Sequence, residues 1–109
     1  MIKVYQIHLN DQEMFQLQAE GWDSVNPKIR AYGRKMFGKV EDVNMEHYTH
    51  VANVYIDDME EAFRLMNLWE GSDNIVEKLG ACSSMSVGDV LEMEDGKRFI
   101  CAAFGFNEI

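Results

Sequence analysis

The run Asp57-Asp58-Met59-Glu60-Glu61 leads into apolar residues at helical spacing, Met59, Ala62, Phe63, Met66 and Trp69, and then into Gly71. Asp57 with Glu60, or Asp58 with Glu61, has the three-residue spacing of a capping box, and Gly71 supplies the stop. A helix that is apolar along one face must bury that face against another element. The stripe therefore predicts that Met59, Phe63, Met66 and Trp69 lie on a sheet.

The rest of the chain supplies strands for such a sheet. Ile2 to Leu9 is apolar on both alternating faces, as in a central strand. Asn10 and Glu13 form another capping-box pair before Met14, Phe15, Leu17 and Ala19, and Gly21 closes that helix. Asn26-Pro27 is a helix start, and Ile29, Tyr32, Gly33 and Met36 recur at helical spacing, but two glycines weaken the pattern. This segment reads as either a short helix or a loop. Tyr48 to Ile56 is a strand, Ser72-Asp73-Asn74 can cap a short turn running to Leu79, and Val87-Gly88-Asp89 is a tight corner. Val90 to Met93 and Arg98 to Phe104 are strands joined through Asp95-Gly96, a hairpin signal. The tail to Ile109 retains large apolar residues and is expected to be docked.

The expected architecture is one α+β domain over residues 1–109. It has a mixed or antiparallel sheet of about four strands, two or three covering helices and a C-terminal β-hairpin. A helical crossover between the first two strands would set them parallel and make the sheet mixed.

The chain carries 19 acidic and 10 basic side chains, a net charge of −9, which disfavours direct contact with nucleic acid or anionic membranes. Lys28, Arg30, Arg34, Lys35 and Lys39 concentrate half of the basic residues in one segment, whereas residues 41–109 hold fifteen acidic and four basic side chains. Two surfaces are therefore candidates for binding. The first is the acidic patch of Asp57, Asp58, Glu60, Glu61, Glu94 and Asp95, and the second is the basic segment with its Tyr32 and Phe37.

No catalytic, metal or cofactor site is expected. His47 and His50 stand three apart, so on one strand they would point to opposite faces, and His8 reads as their neighbour in the sheet. Ser83, Ser84 and Ser86 lie in no nucleophile elbow, and the carboxylates of the acidic run are explained by helix capping. Cys82 and Cys101 form no C-x-x-C pair and are read as two buried thiols rather than a disulfide. No apolar run reaches the roughly 20 residues of a membrane span, and the chain start reads as a strand, so the expected compartment is cytoplasmic.

The stretch Ser84-Met85-Ser86-Val87-Gly88-Asp89-Val90, followed by a hairpin and Phe104-Gly105-Phe106 with Ile109, resembles the C-terminal signature of YodL-like and related small proteins of phages and conjugative elements. Tyr48, His50-Val51-Ala52, Val54, the acidic capping segment and Asn67 with Trp69 are similar to that group as well, over residues 48–109. The family carries no agreed activity, so the resemblance implies context and no catalytic residue. Physically the signature reads as a corner. Gly88 supplies an unusual backbone angle, Asp89 bonds back to the turn, and Phe104 with Phe106 anchors the last strand.

These readings favour a phage or mobile-element accessory protein that binds a host protein through its acidic surface. The expected target is a nucleic-acid-dependent defence complex, as in anti-CRISPR or anti-restriction inhibition. The alternatives are a structural or regulatory homo-oligomeric module, such as a homodimer, and an enzyme with an unrecognised site.

Overall fold

The computed structural model describes residues 1–36, 43–68 and 74–109. Among these residues six strands form one antiparallel sheet: β1 (Ile2–Gln6), β2 (Thr49–Val54), β3 (Val76–Lys78), β4 (Val90–Glu92), β5 (Arg98–Cys101) and β6 (Phe106–Glu108). Their spatial order is β3-β2-β1-β4-β5-β6, so the chain start is central, as its two-sided apolar pattern predicts. Among the described residues three α-helices accompany the sheet, α1 (Asp11–Glu20), α2 (Pro27–Met36) and α3 (Met59–Met66), with a 3-10 turn at Met45–His47.

The α+β class and the paired C-terminal strands agree with the sequence reading, and two details differ. β1 and β2 are antiparallel, with Ile2 opposite Val54 and a register irregularity at Val4/Tyr5, so the sheet is not mixed. Two short strands raise the count to six. Val76–Lys78 belong not to a capped turn but to β3, which pairs Val76 with Val54, and the tail forms β6 against β5. β3 and β6, three residues each and flanked by no hairpin signal like Asp95-Gly96, carry too little alternation to be read from sequence.

Alternation along β1 puts Ile2, Val4 and Gln6 on one face and Lys3, Tyr5 and Ile7 on the other. The first face continues through Ala52, Val54 and Leu91 and packs with Ala62, Leu65 and Met66 of α3. Met59 lies at the margin of this core, whereas Phe63 is 37% exposed, so the stripe buries a face centred one residue away from Phe63. Trp69 lies outside the described residues. On the opposite face Val90 and Ile100 are buried, and α2 covers the end near Ile7.

α2 is a helix, as one of the two readings of the basic segment expected. Asn26 caps it by accepting from the Lys28 amide at 3.0 Å, and Pro27 takes the first position. Gly33 has a packing reason, because a Cβ there would come within 2.8 Å of the Trp22 ring. α1 forms with both halves of its Asn10–Glu13 capping box in place, at 2.8 Å each, yet none of its residues is buried. Met14, Phe15, Leu17 and Ala19 make no coherent stripe, and Phe15 stays 73% exposed. Polar contacts tie this helix down instead: Lys28 to Glu13 at 2.9 Å, Asn26 to Gln16 at 3.2 Å and Ser24 to Glu20 at 2.7 Å.

Candidate functional site

The corner before β4 is built as its residue types require. Gly88 has φ +92°, the Asp89 amide donates to the Ser86 carbonyl at 3.1 Å, and Asp89 Oδ2 accepts from the Ser86 amide at 2.9 Å. Asp89 is fully buried, and its Oδ2 also accepts from Gln6 Nε2 at 3.0 Å. Lys35 Nζ lies 2.6 Å from Oδ1, without the alignment of a regular hydrogen bond. Burial pushes the Asp89 carboxyl above its usual range, against the opposing pull of Lys35, the Ser86 amide and Gln6.

Gln6 completes this network. Its Oε1 accepts from the Ser83 amide at 3.1 Å, from Ser83 Oγ at 3.3 Å and from His8 Nε2 at 2.8 Å. Because Ser83 and His8 donate to the same oxygen, His8 Nε2 is occupied as a donor and does not serve Ser83 as a base. Burial first, and Lys35 second, holds the His8 imidazole below its usual range. His50 stacks on Tyr5 at 5.1 Å and bonds to Asn53 Oδ1 at 2.7 Å, away from His47 in the 3-10 turn. Among the described residues, no three His, Cys, Asp or Glu side chains form a group that could hold a metal ion. Cys82 and Cys101 are both free thiols, Cys101 buried and Cys82 only half-buried.

The acidic candidates separate into distinct roles. Asp58 caps α3 by accepting from the Glu60 and Glu61 amides at 3.0 and 3.3 Å. Glu61 is held by Arg64, whose guanidinium lowers the Glu61 carboxyl below its usual range. Asp95 shapes the hairpin by accepting from the Lys97 amide at 3.0 Å beside Gly96 at φ +90°. Asp57 and Glu94, from separate loops, meet at the Met1 ammonium at 3.2 and 3.0 Å. Glu60 stands at a cleft of about 240 Å³ between α3 and the β5–β6 turn, lined also by Phe63, Cys101, Ala102, Ala103, Gly105 and Phe106.

In that cleft Phe63 and Phe106 meet edge to face, with centroids 6.5 Å apart at 73°. Phe106 is thus an anchor of the last strand as expected, but Phe104 is 98% exposed at the tip of the turn and anchors nothing. Burial pushes the Cys101 thiol up to about 11, so at neutral pH it is an apolar wall of the cleft rather than a nucleophile.

The residues of the basic segment differ in depth. Lys35 is 9% exposed and committed to Asp89, Lys28 pairs with Glu13, and Arg30 donates to the Ser24 carbonyl at 2.9 Å. Lys28 and Lys35 are drawn inward by Glu13 of α1 and by Asp89, their acidic partners. Arg30 and Arg34 remain exposed, and Lys39, like Phe37, lies outside the described residues.

Sequence reasoning missed the Phe63–Phe106 cleft, because it depends on β6, and missed Lys35 and Gln6 as partners of Asp89. No helix among the described residues is long and apolar enough to cross a membrane. No family model matches the chain, and neither the curated proteins nor the solved structures give a match.

Proposed function

We propose that this chain is a phage or mobile-element accessory protein that acts by stoichiometric binding to a host protein. The contact is made through the acidic face around Asp57, Glu60 and Glu94 and the adjoining aromatic cleft. The observation that carries the reading is the convergence of Asp57 and Glu94 from separate loops, two carboxylates on the one Met1 ammonium, with Glu60, three residues beyond Asp57, lining the cleft beside Phe63. A net negative charge beside exposed aromatic surface steers a basic partner and then holds it. The partner class that fits is a nucleic-acid-dependent defence complex, whose Lys/Arg-lined channel a folded acidic surface can occupy in place of phosphates. The resemblance of residues 48–109 to small phage and conjugative-element proteins supplies the biological setting.

The test is competition. Host complexes that co-purify with the protein are loaded with a fluorescent DNA duplex, and displacement is followed at about 50 and 200 mM salt, where charge-driven binding differs strongly. The parent is expected to displace the duplex, more effectively at low salt. The triple variant Asp57→Asn, Glu60→Gln, Glu94→Gln, whose exposed pairs contribute little to folding, is expected to displace it poorly. A folded triple variant that competes as well as the parent at both salts removes the acidic face from the mechanism.

A further inference from the structure

β6 ends the sheet, with β5 as its neighbour on one side and no strand on the other among the described residues. Its hydrogen-bond phase follows from two bonds, Ala102 N to Gly105 O at 2.9 Å and Ile109 N to Arg98 O at 3.0 Å. With Ile100 opposite Asn107, these place the Asn107 amide and carbonyl toward β5. The amides and carbonyls of Phe106 and Glu108 therefore point to the open side. Edge strands are blunted by shortness, by charge, by proline or by a bulge; β6 is three residues long and carries Glu108, which deters an acidic strand but not a basic one, and it has no lysine, proline or bulge. The other edge, β3, is blunted: it carries Lys78, and its Glu77 carboxylate is held by Tyr55 and Asn53 at 2.7 and 2.9 Å.

We infer that β6 is a docking edge that accepts an extended segment of the partner protein as a seventh strand, with an apolar side chain in the Phe63–Phe106 cleft and, two residues along, a lysine or arginine facing Glu108. The inference rests on the binding-protein reading above and specifies how that partner is held. Strand addition draws affinity from main-chain bonds and selectivity from pockets at alternate side chains. The cleft, at about 240 Å³, is smaller than the usual small-molecule site and suits one large side chain. It lies on the side of the sheet to which Phe106 and Glu108 both project, since they are two residues apart.

Charge selects the occupant. Glu60 lines the cleft and Glu108 stands on the edge, while Arg64 is held by Glu61 and Arg98 by Glu92. A basic strand is attracted to this surface. A second copy of the same chain, itself at −9, would bring Glu60 and Glu108 against their equivalents.

The probe is a fluorescent peptide in which threonine alternates with leucine and lysine, so that leucine and lysine share one face. Two further versions carry N-methyl groups on one or the other alternate set of backbone amides. Strand addition uses one set only, so one methylated peptide should bind like the parent peptide and the other at least tenfold more weakly. Glu108→Pro removes an outward amide and leaves the Asn107 and Ile109 bonds to β5 intact. It should weaken binding at least tenfold, whereas Glu108→Gln, which keeps the amide, should weaken it severalfold and mainly at low salt. Amide exchange at Phe106 and Glu108 should slow when the peptide binds.

Equal binding of both methylated peptides, or equal effects of Glu108→Pro and Glu108→Gln, overturns the docking edge. If that binding still weakens with salt, the acidic-face reading stands without it. Failure of every lysine peptide to bind the folded parent overturns the docking edge, and the displacement assay then decides the acidic face separately. A parent dimer in sedimentation that Glu108→Pro dissolves assigns the edge to a second copy and likewise overturns the proposal.

Discussion

The ammonium of Lys35 on α2 lies 2.6 Å from Oδ1 of Asp89 at the start of β4, and water reaches neither side chain appreciably. This contact joins a helix on one face of the sheet to the corner that launches the central hairpin. Two charges at such depth are tolerated only together, because each would otherwise bear its own desolvation cost.

Lys35→Met leaves Asp89 buried without its cation and is expected to cost about 3 to 5 kcal/mol in urea unfolding. Adding Asp89→Asn removes the orphaned charge while keeping an oxygen for the Ser86 amide and Gln6. The double variant should recover more than half of the loss. If the single change costs under about 1 kcal/mol, the pair is open to water in solution and does not secure α2.

Stability should fall on the alkaline side. Burial raises the Cys101 thiol from 9.0 to about 11 and the Tyr48 hydroxyl, which donates to the Gly88 carbonyl at 2.6 Å, from 10.0 to about 12. Both folded values lie above the unfolded ones, so the folded state binds more protons in this range. The stabilisation is complete below about pH 9 and is lost as pH rises through about 11 and 12. Unfolding midpoints measured from pH 8 to 11.5 should decline, and Cys101→Ser with Tyr48→Phe should flatten the decline.

Leu65 and Phe63 separate the core face of α3 from its cleft face. Leu65 is 5% exposed within the main core, so Leu65→Ala should cost about 2 to 5 kcal/mol. Phe63 is partly exposed and meets Phe106 at the sheet edge, so Phe63→Ala should cost only about 1 kcal/mol while weakening peptide binding at β6. Equal costs would mean that Phe63 is part of the core and that the cleft is closed in solution.

The strongest sequence signals were those in which neighbouring residues complete one another's bonds. Asn10 with Glu13, Asn26 with Pro27, and Asp95 with Gly96 all appear as read, because each bond lies within a few residues. Strand direction was not legible in this way. The antiparallel pairing of β1 with β2 depends on where α1 and α2 return the chain, which no local pattern encodes. The place of Lys35 was not legible because charge says nothing about depth: it belongs to the interior only because Asp89, far along the chain, meets it there. The acidic run was legible as a cap and as a candidate surface, but the meeting of Asp57 with Glu94 at the Met1 ammonium was not, because it joins loops far apart in the chain.

Gly33→Ala sets helix propensity against packing. Alanine favours a helix interior by about 1 kcal/mol over glycine, and α2 would gain this if the site were open. The added Cβ would instead stand 2.8 Å from Cε3 of Trp22, whose ring stacks on Tyr32 with centroids 6.1 Å apart at 20°. To relieve the overlap the indole must move and give up part of that stack, so a net loss of about 1 to 2 kcal/mol is expected, with a change in near-ultraviolet circular dichroism. Trp69 contributes to the same spectrum, so the decisive comparison is made in a Trp22→Leu background. There the obstruction is gone, and Gly33→Ala should become neutral or stabilising. The coupling between the two changes, measured as a double-mutant cycle, should exceed about 1 kcal/mol. Coupling near zero, with Gly33→Ala stabilising in both backgrounds, would mean that Trp22 does not rest against α2 at Gly33, and the seating of α2 between Trp22 and the Lys35–Asp89 contact would have to be redrawn.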